Sequence, residues 1–306
     1  MYAISALREF CAAIGCEYLS EEPMSRHTTF KIGGPAELLA LPSSPDMLRR
    51  LLCKCRELDI PVTVVGRGSN LLVSDGGIDG CVVCLGAGFS NIRREDGLVV
   101  CSAGTSLTEL CRYALANGLT GLEFAYGIPG SVGGAVYMNA GAYGGELKDA
   151  VVFSRHLTPE GEPVTLGAEQ LGFGYRRSVY TGMPGCIIVE AGFRLLPGDP
   201  EAIRARMDDL MGRRRAKQPV ELPSAGSVFK RPEGAFAGAL IEKCGLKGRA
   251  VGGAVVSEKH AGFIVNTGGA TCRDVETLVR LIQDEVLEKT GFALECEIKR
   301  TGKTDS

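Results

Sequence analysis

No apolar run in this chain approaches the roughly 18 residues needed for a membrane helix, so a helical membrane span is not expected. Charge of one sign is also missing. The formal net charge is −2 with 23% charged residues, which leaves neither a basic footprint for nucleic acid nor a polybasic patch for a lipid surface. The opening segment Met1–Phe10 has no basic stretch followed by an apolar one. It does not read as a secretory signal, and a cytoplasmic location is expected. Histidine is scarce, with three in 306 residues. None lies near Cys81-Val82-Val83-Cys84, and no second cysteine pair sits at zinc-finger spacing, so no metal site is expected. Internal repeats and low-complexity tracts are absent too. What remains is a protein for small molecules or other proteins.

The cysteines that are present number 12. In a long chain without an export signal they read as small hydrophobes of the core, with zinc as the alternative for the CxxC pair. A hydrophobic content of 45% over 306 residues is enough for a large core and about two domains. Local patterns then divide the chain. Ile4, Leu7 and Cys11 share one face of an opening helix. Ser44 and Pro45 start a second helix carrying Leu48, Leu51, Leu52 and Cys55, and Val62–Val65 follows as a buried strand. Val99–Ala103 reads as a strand, and Ser106 with Glu109 as a capping box for a helix ending at Asn117-Gly118. Val151–Ser154, a hairpin about Pro159-Glu160-Gly161, and a strand from Ile187 to Leu195 read as antiparallel. Leu196–Pro200 is a turn-rich link and the expected boundary. It separates 1–196, itself divided near 81–84, from 197–306. Glu201–Lys217 and Thr271–Lys289 are helices, the second capped by Thr271 and Asp274 and stopped by Gly291. Phe292–Lys299 reads as a final strand.

Many of the 42 glycines supply turns, and two clusters ask for more, with a pyrophosphate-containing cofactor and purely structural glycine as the alternatives. Gly66-Arg67-Gly68-Ser69-Asn70 stands at the carboxyl end of a strand, where successive backbone N–H groups can face phosphate oxygens. The Gly127–Gly145 segment is too long for a turn and too apolar for a flexible linker. It suits close approach of the main chain to a large flat ligand. Neither is a dinucleotide fingerprint, since Leu71 stands where the third glycine would be, and neither is a P-loop.

Four segments occur in order: Val64–Val73, Gly127–Gly145, Phe173-Gly174-Tyr175-Arg176 and Ala225-Gly226-Ser227-Val228-Phe229-Lys230. Together they closely resemble the UDP-N-acetylenolpyruvoylglucosamine reductase family of bacterial peptidoglycan precursor synthesis, from about His27 to Gly302. The resemblance implies an α+β protein. A vanillyl-alcohol-oxidase-type FAD-binding region of two α/β subdomains would be followed by a carboxyl-terminal α/β substrate domain. It implies non-covalent FAD held by Gly66, Arg67, Gly68, Ser69, Asn70 and Leu71 and by Gly127, Ile128, Pro129, Gly130, Ser131, Gly133, Gly134, Asn139 and Ala140. NADPH would reduce the flavin, and the enolpyruvyl ether of UDP-N-acetylglucosamine would then be reduced to UDP-N-acetylmuramate. Only Leu196–Pro200 separates the Ile187–Leu195 strand from the next helix, so the shorter subgroup without a tyrosine-bearing loop is implied.

In that family hydride reaches the terminal carbon of the enolpyruvyl group, and the adjacent carbon must receive a proton. Ser227 matches the proton donor. A hydroxyl is a poor acid, so geometry must do most of this work. Arg176 matches the catalytic arginine, whose planar fork suits a carboxylate that gains charge. Glu297 matches the catalytic glutamate and would serve best protonated beside an anion. On a strand Glu295 and Glu297 share a face, so periodicity leaves the choice between them open. Lys217, Lys230, Arg231, Tyr143 and Tyr175 are the candidate substrate contacts. Two rival readings are an FAD-dependent oxidase of an alcohol or sugar on the same fold, and a flavin-binding regulator without turnover. His27 and His260 are assigned no role.

Overall fold

The computed structural model describes residues 2–304, so Met1 of the opening segment lies outside it. The chain forms two compact units that interleave in sequence. The first comprises residues 2–20, Leu38–Arg67 and Gly80–Arg213; the second comprises Glu21–Glu37, Gly68–Asp79 and residues 214–304.

In the first unit, helix α1 (Tyr2–Ala13) buries Ile4, Leu7 and Cys11, the stripe its spacing predicts. Helix α2 (Pro45–Glu57) starts at Ser44, whose hydroxyl accepts the Met47 N–H, and buries Leu48, Leu51, Leu52 and Cys55. Helix α3 (Leu107–Ala116) carries the full Ser106/Glu109 capping box. A fourth, short helix, α4 (Val132–Met138), occupies the middle of the long glycine-rich segment. The main sheet is antiparallel, in the order Pro163–Gly167, Val151–Leu157, Ile187–Phe193, Leu98–Ser102, Ile92–Glu95. Val62–Val65 runs parallel to Ile78–Cys84, with Val65 opposite Cys84.

The expected burial of Val62–Val65 needs correcting. This strand ends its sheet and has one strand neighbour; only Val65 is buried, and Val64 is exposed. Leu196–Pro197, expected as link, forms a short antiparallel pair with Leu119–Thr120. Cys81 and Cys84 lie buried on one strand, and every cysteine is a free thiol. Burial raises the Cys84 thiol and pushes Cys101 and Cys111 up to about 12, as expected of inert core sulfurs.

Helix α5 (Pro200–Lys217) carries the chain from the first unit into the second. The second unit contains α6 (Ala237–Lys243) and α7 (Cys272–Thr290), together with a four-stranded antiparallel sheet. Its strand order is Ser224–Ser227, Phe263–Asn266, Ala254–Val256, Ala250–Val251. Val275, Leu278, Val279, Ile282 and Val286 of α7 are buried in the core of this unit, each contributing roughly 1.5–3 kcal/mol. The helix begins with the Thr271/Asp274 box and ends at Gly291 with φ +75°. A second cap comes from far away in sequence. The Asp75 carboxylate accepts the N–H groups of Cys272 (2.7 Å) and Arg273 (3.1 Å), using donors that a helix start leaves unpaired.

Phe292–Lys299 is not the regular strand its alternation predicts. Only Lys299–Thr301 forms one, parallel to Leu71–Val73. The preceding residues make a single bridge, Cys296 to Phe229. Among the described residues no helix is long and apolar enough to cross a membrane.

Two measurements test this fold. Thr271→Ala should lower unfolding stability by about 1 kcal/mol, seen as an earlier urea midpoint at unchanged slope. The loss stays small because Asp75 still serves Cys272 and Arg273. The second test concerns pH. His156 is buried, and its Nε2 has no hydrogen-bond partner among the described residues. Burial lowers the pKa of both His156 and His260 below 6.5. The unfolded chain therefore takes up protons first as pH falls through about 6.5. Stability is full above that value and is lost below it. Denaturant midpoints between pH 7 and 5 should fall, and less steeply in His156→Phe.

Candidate active site

The two glycine clusters meet within the first unit. A side-chain carbon placed on Gly66 would lie 2.3 Å from the Ser131 hydroxyl, so only glycine lets the end of the Val62–Val65 strand pass the start of α4. Ser131 is buried and caps α4 by accepting the Gly134 N–H. Gly133 is a packing glycine, because its missing Cβ would sit 2.9 Å from that of Ala103. The N–H groups of Val132 and Gly133 are taken by the Thr105 and Ala103 carbonyls. The start of α4 thus spends those amides on the protein itself. Pro129 and Gly134 are exposed, and Gly127, Ile128, Gly130 and Ala140 are half-buried, which leaves a surface poor in side chains.

The other part of the first cluster, Gly68–Leu71, belongs to the second unit. Gly68 has φ +61°, and a Cβ there would lie 2.1 Å from the His27 carbonyl. The loop's carbonyls are tied down: Gly68 accepts the Thr29 N–H (3.2 Å) and Asn70 accepts the Lys299 N–H (2.9 Å). By contrast, the N–H groups of Arg67, Gly68, Ser69 and Asn70 donate to no carbonyl among the described residues. Carbonyls turned to the protein, with consecutive amides left over, make an anion cradle. The donor set fits a pyrophosphate, and the side-chain-poor segment fits a flat ring system.

Arg176 stands in a tight turn of the first unit. Gly174 and Arg177 exchange backbone hydrogen bonds across it (3.0 and 3.3 Å), leaving Tyr175 and Arg176 at the tip. Arg176 has φ +54°. That is a conformation glycine holds at less cost, and such strain persists where the surrounding structure over-determines it. Its guanidinium donates to the Gly141 carbonyl at 3.3 Å and lies 5.1 Å from the Tyr175 ring centre. Gly141-Ala142 pairs with Gly145-Glu146. Tyr143 and Gly144 form the tip of that hairpin with φ +54° and +90°, the type I′ pattern. Asn139 is fully buried, with its amide used inside the protein. Whatever it offers a ligand must come from its main chain.

Ser227 ends the Ser224–Ser227 strand opposite Phe263, after Gly226 with φ +79°. A ladder beside it settles the arrangement. Glu297 donates its N–H to the Val228 carbonyl (2.7 Å), and Lys230 donates to the Glu295 carbonyl (2.8 Å). The Glu297 carbonyl in turn accepts from Asn70 Nδ2 at 3.2 Å. Asn70, Glu297 and the residue after Ser227 are therefore one connected group. The two glutamates differ sharply. Glu295 is exposed and ion-paired with Lys230, whereas Glu297 is half-buried. Arg231 lies 4.5 Å from the exposed Phe236 ring. Lys217, the last residue of α5, is exposed. One turn earlier Arg214 is buried and donates to Gln218 Oε1 (2.9 Å), although its place in an arginine run reads as solvated.

Two features were not visible in the residues themselves. One is Asp75, which fastens the Gly68–Asp79 segment to α7; its partners are 197 and 198 residues away. The other is the Asn139 carboxamide, for which the only local signal is its position just after α4, where asparagine tolerates a left-handed cap.

The family model for the UDP-N-acetylenolpyruvoylglucosamine reductase carboxyl-terminal domain matches residues 218–301. A second, the FAD binding domain, matches residues 36–167. Relatives bearing the name UDP-N-acetylenolpyruvoylglucosamine reductase include one from Latilactobacillus sakei, 49% identical over 93% of both chains. Another, from Levilactobacillus brevis, is 50% identical over 93% of both chains. A third, from Clostridium botulinum, is 46% identical over 94% of both. The crystal structure of UDP-N-acetylenolpyruvylglucosamine reductase from Thermus caldophilus superposes with a TM-score of 0.78 at 37% identity, covering 93% of this chain and 98% of that one. The α+β architecture expected of the sequence is thereby met, and the chain is an FAD-dependent oxidoreductase. With similarity along nearly its full length, this chain belongs to the UDP-N-acetylenolpyruvoylglucosamine reductase family.

Proposed function

We propose that this chain reduces the enolpyruvyl ether of UDP-N-acetylglucosamine to UDP-N-acetylmuramate in the cytoplasm, with NADPH as reductant and Ser227, Arg176 and Glu297 as catalytic residues. The relatives' names support the substrate, and the absence of a membrane-crossing helix among the described residues is in keeping with the location. Bound FAD would supply the hydride. Gly66–Leu71 would hold its pyrophosphate with main-chain N–H groups, and the Gly127–Ala140 segment would lie along its ring system. Residues 1–196 would serve the flavin and 197–306 the sugar nucleotide, a division supported by family matches at 36–167 and 218–301.

The protein's own part is charge and proton handling. The Arg176 fork binds the enolpyruvyl carboxylate and favours the form in which it carries more charge. Ser227 Oγ gives its proton to the carbon beside that carboxylate. Glu297 stands next to the proton donor and steadies the developing charge. Lys217, Lys230, Arg231, Tyr143 and Tyr175 contact the substrate; for Lys230 this means leaving Glu295. The observation that carries this reading is the hydrogen-bonded connection from Asn70 through Glu297 to Val228. It joins the loop assigned to the cofactor to the residues assigned to the proton.

Anaerobic stopped-flow mixing tests the roles. In Ser227→Ala, flavin bleaching by NADPH should stay near the native rate, while reoxidation by the enolpyruvyl substrate drops at least about 10²-fold. Equal loss in both half-reactions would refute the proton-donor role. Arg176→Gly separates folding from chemistry. Removing a side chain at φ +54° offsets glycine's entropic penalty, so the urea midpoint should correspond to within about 1 kcal/mol of native stability. Substrate-driven reoxidation should nevertheless collapse.

A further inference from the structure

Arg176 is held by a small buried device whose centre is Asn139. Helix α4 ends at Asn139 in the left-handed conformation, φ +44° and ψ +59°. Glycine would adopt that backbone more easily. The side chain accounts for the asparagine. One Nδ2–H reaches the Gly174 carbonyl at 3.0 Å, the other reaches Glu146 Oε2 at 3.1 Å, and Oδ1 accepts the Lys148 N–H at 3.0 Å. Both donors of the carboxamide are engaged, its oxygen accepts one bond, and it has no exposed surface.

Each bond lands on something that supports the arginine. Gly174 is the first residue of the turn that carries Tyr175 and Arg176. Glu146 pairs with Gly141 in the neighbouring hairpin, and the Gly141 carbonyl receives the Arg176 guanidinium. The Glu146 carboxylate is itself held below its usual range, chiefly by Lys148, with Asn139 and Arg176 adding to the effect. Asn139 thus grips the base of the arginine's turn and the strand pair its guanidinium rests on.

We infer that Asn139 is a positioning residue for Arg176, acting on catalysis only through that arginine. The inference rests on the catalytic reading of Arg176 given above. It replaces direct cofactor contact as the task of the Asn139 side chain. With the carboxamide removed, the turn loses a buried anchor, Glu146 loses one of its donors, and the guanidinium is no longer aimed. Misplacement on this scale slows a chemical step by up to about 10²-fold.

The experiment is a double-mutant cycle followed by anaerobic stopped flow on the flavin-loaded enzyme. Asn139→Gly keeps the left-handed backbone and removes the amide. Reoxidation by the enolpyruvyl substrate should slow about 10- to 100-fold, far more than flavin reduction by NADPH slows. Added to Arg176→Ala, the same change should slow reoxidation no further, a non-additivity that general loosening of the fold would not produce. Should Asn139→Gly fail to fold, Asn139→Asp keeps the volume and the acceptor for Lys148 while losing both donors, and the same pattern is expected. The inference is overturned if reoxidation stays native in the single variant, or if the two changes multiply. If Arg176→Ala alone reoxidises at the native rate, the catalytic reading of Arg176 has failed and this inference fails with it.

Discussion

The two main-chain hydrogen bonds of Glu297 are the constraint on which the arrangement beside Ser227 depends. Its N–H is committed to Val228 and its carbonyl to Asn70, so the glutamate can neither slide along the ladder nor turn over. Backbone bonds set register, and a slip of two residues would put Glu295 in the place of Glu297. With Glu297 pinned, Asn70 and Val228, the residue after Ser227, are both held to its main chain. Asp75 extends the constraint by tying the Gly68–Asp79 segment to the start of α7, a helix whose apolar stripe is sunk in the core.

The first unit applies the opposite device at two kinds of position. Where the main chain must pass close to other groups, side chains are missing: Gly66 against Ser131 and Gly133 against Ala103 leave no room for a methyl group. Elsewhere a polar or aromatic side chain occupies a conformation that glycine would hold at less cost, as at Asn139, Tyr143 and Arg176. The strain at these three is held by hydrogen bonds concentrated within a few residues. Such over-determination keeps a strained backbone in place and holds the Arg176 guanidinium in one position.

Much of the secondary structure was legible because its causes are local. The caps at Ser44, Ser106 and Thr271 and the apolar stripes of α1, α2 and α7 act within one or two turns, and the structure reproduces them. Misreadings came where neighbours decide. Val62–Val65 reads as buried by composition, yet a strand at the end of its sheet leaves Val64 in solvent. Phe292–Lys299 alternates like a strand, but most of it finds no ladder beyond one bridge to Phe229.

By itself the sequence determined the family, the flavin and the order of the motifs, because side-chain-poor loops and a few polar residues in fixed succession are properties of the string. Tertiary structure alone decided that residues 21–37 and 68–79 fold with the carboxyl-terminal unit. It also separated Glu297 from Glu295 and set the Asn139 carboxamide beneath the arginine turn. The physical reason is that burial and hydrogen-bond satisfaction depend on partners that are distant in sequence. The Asn70 amide that holds Glu297 is 227 residues away from it, well beyond the reach of any local periodicity.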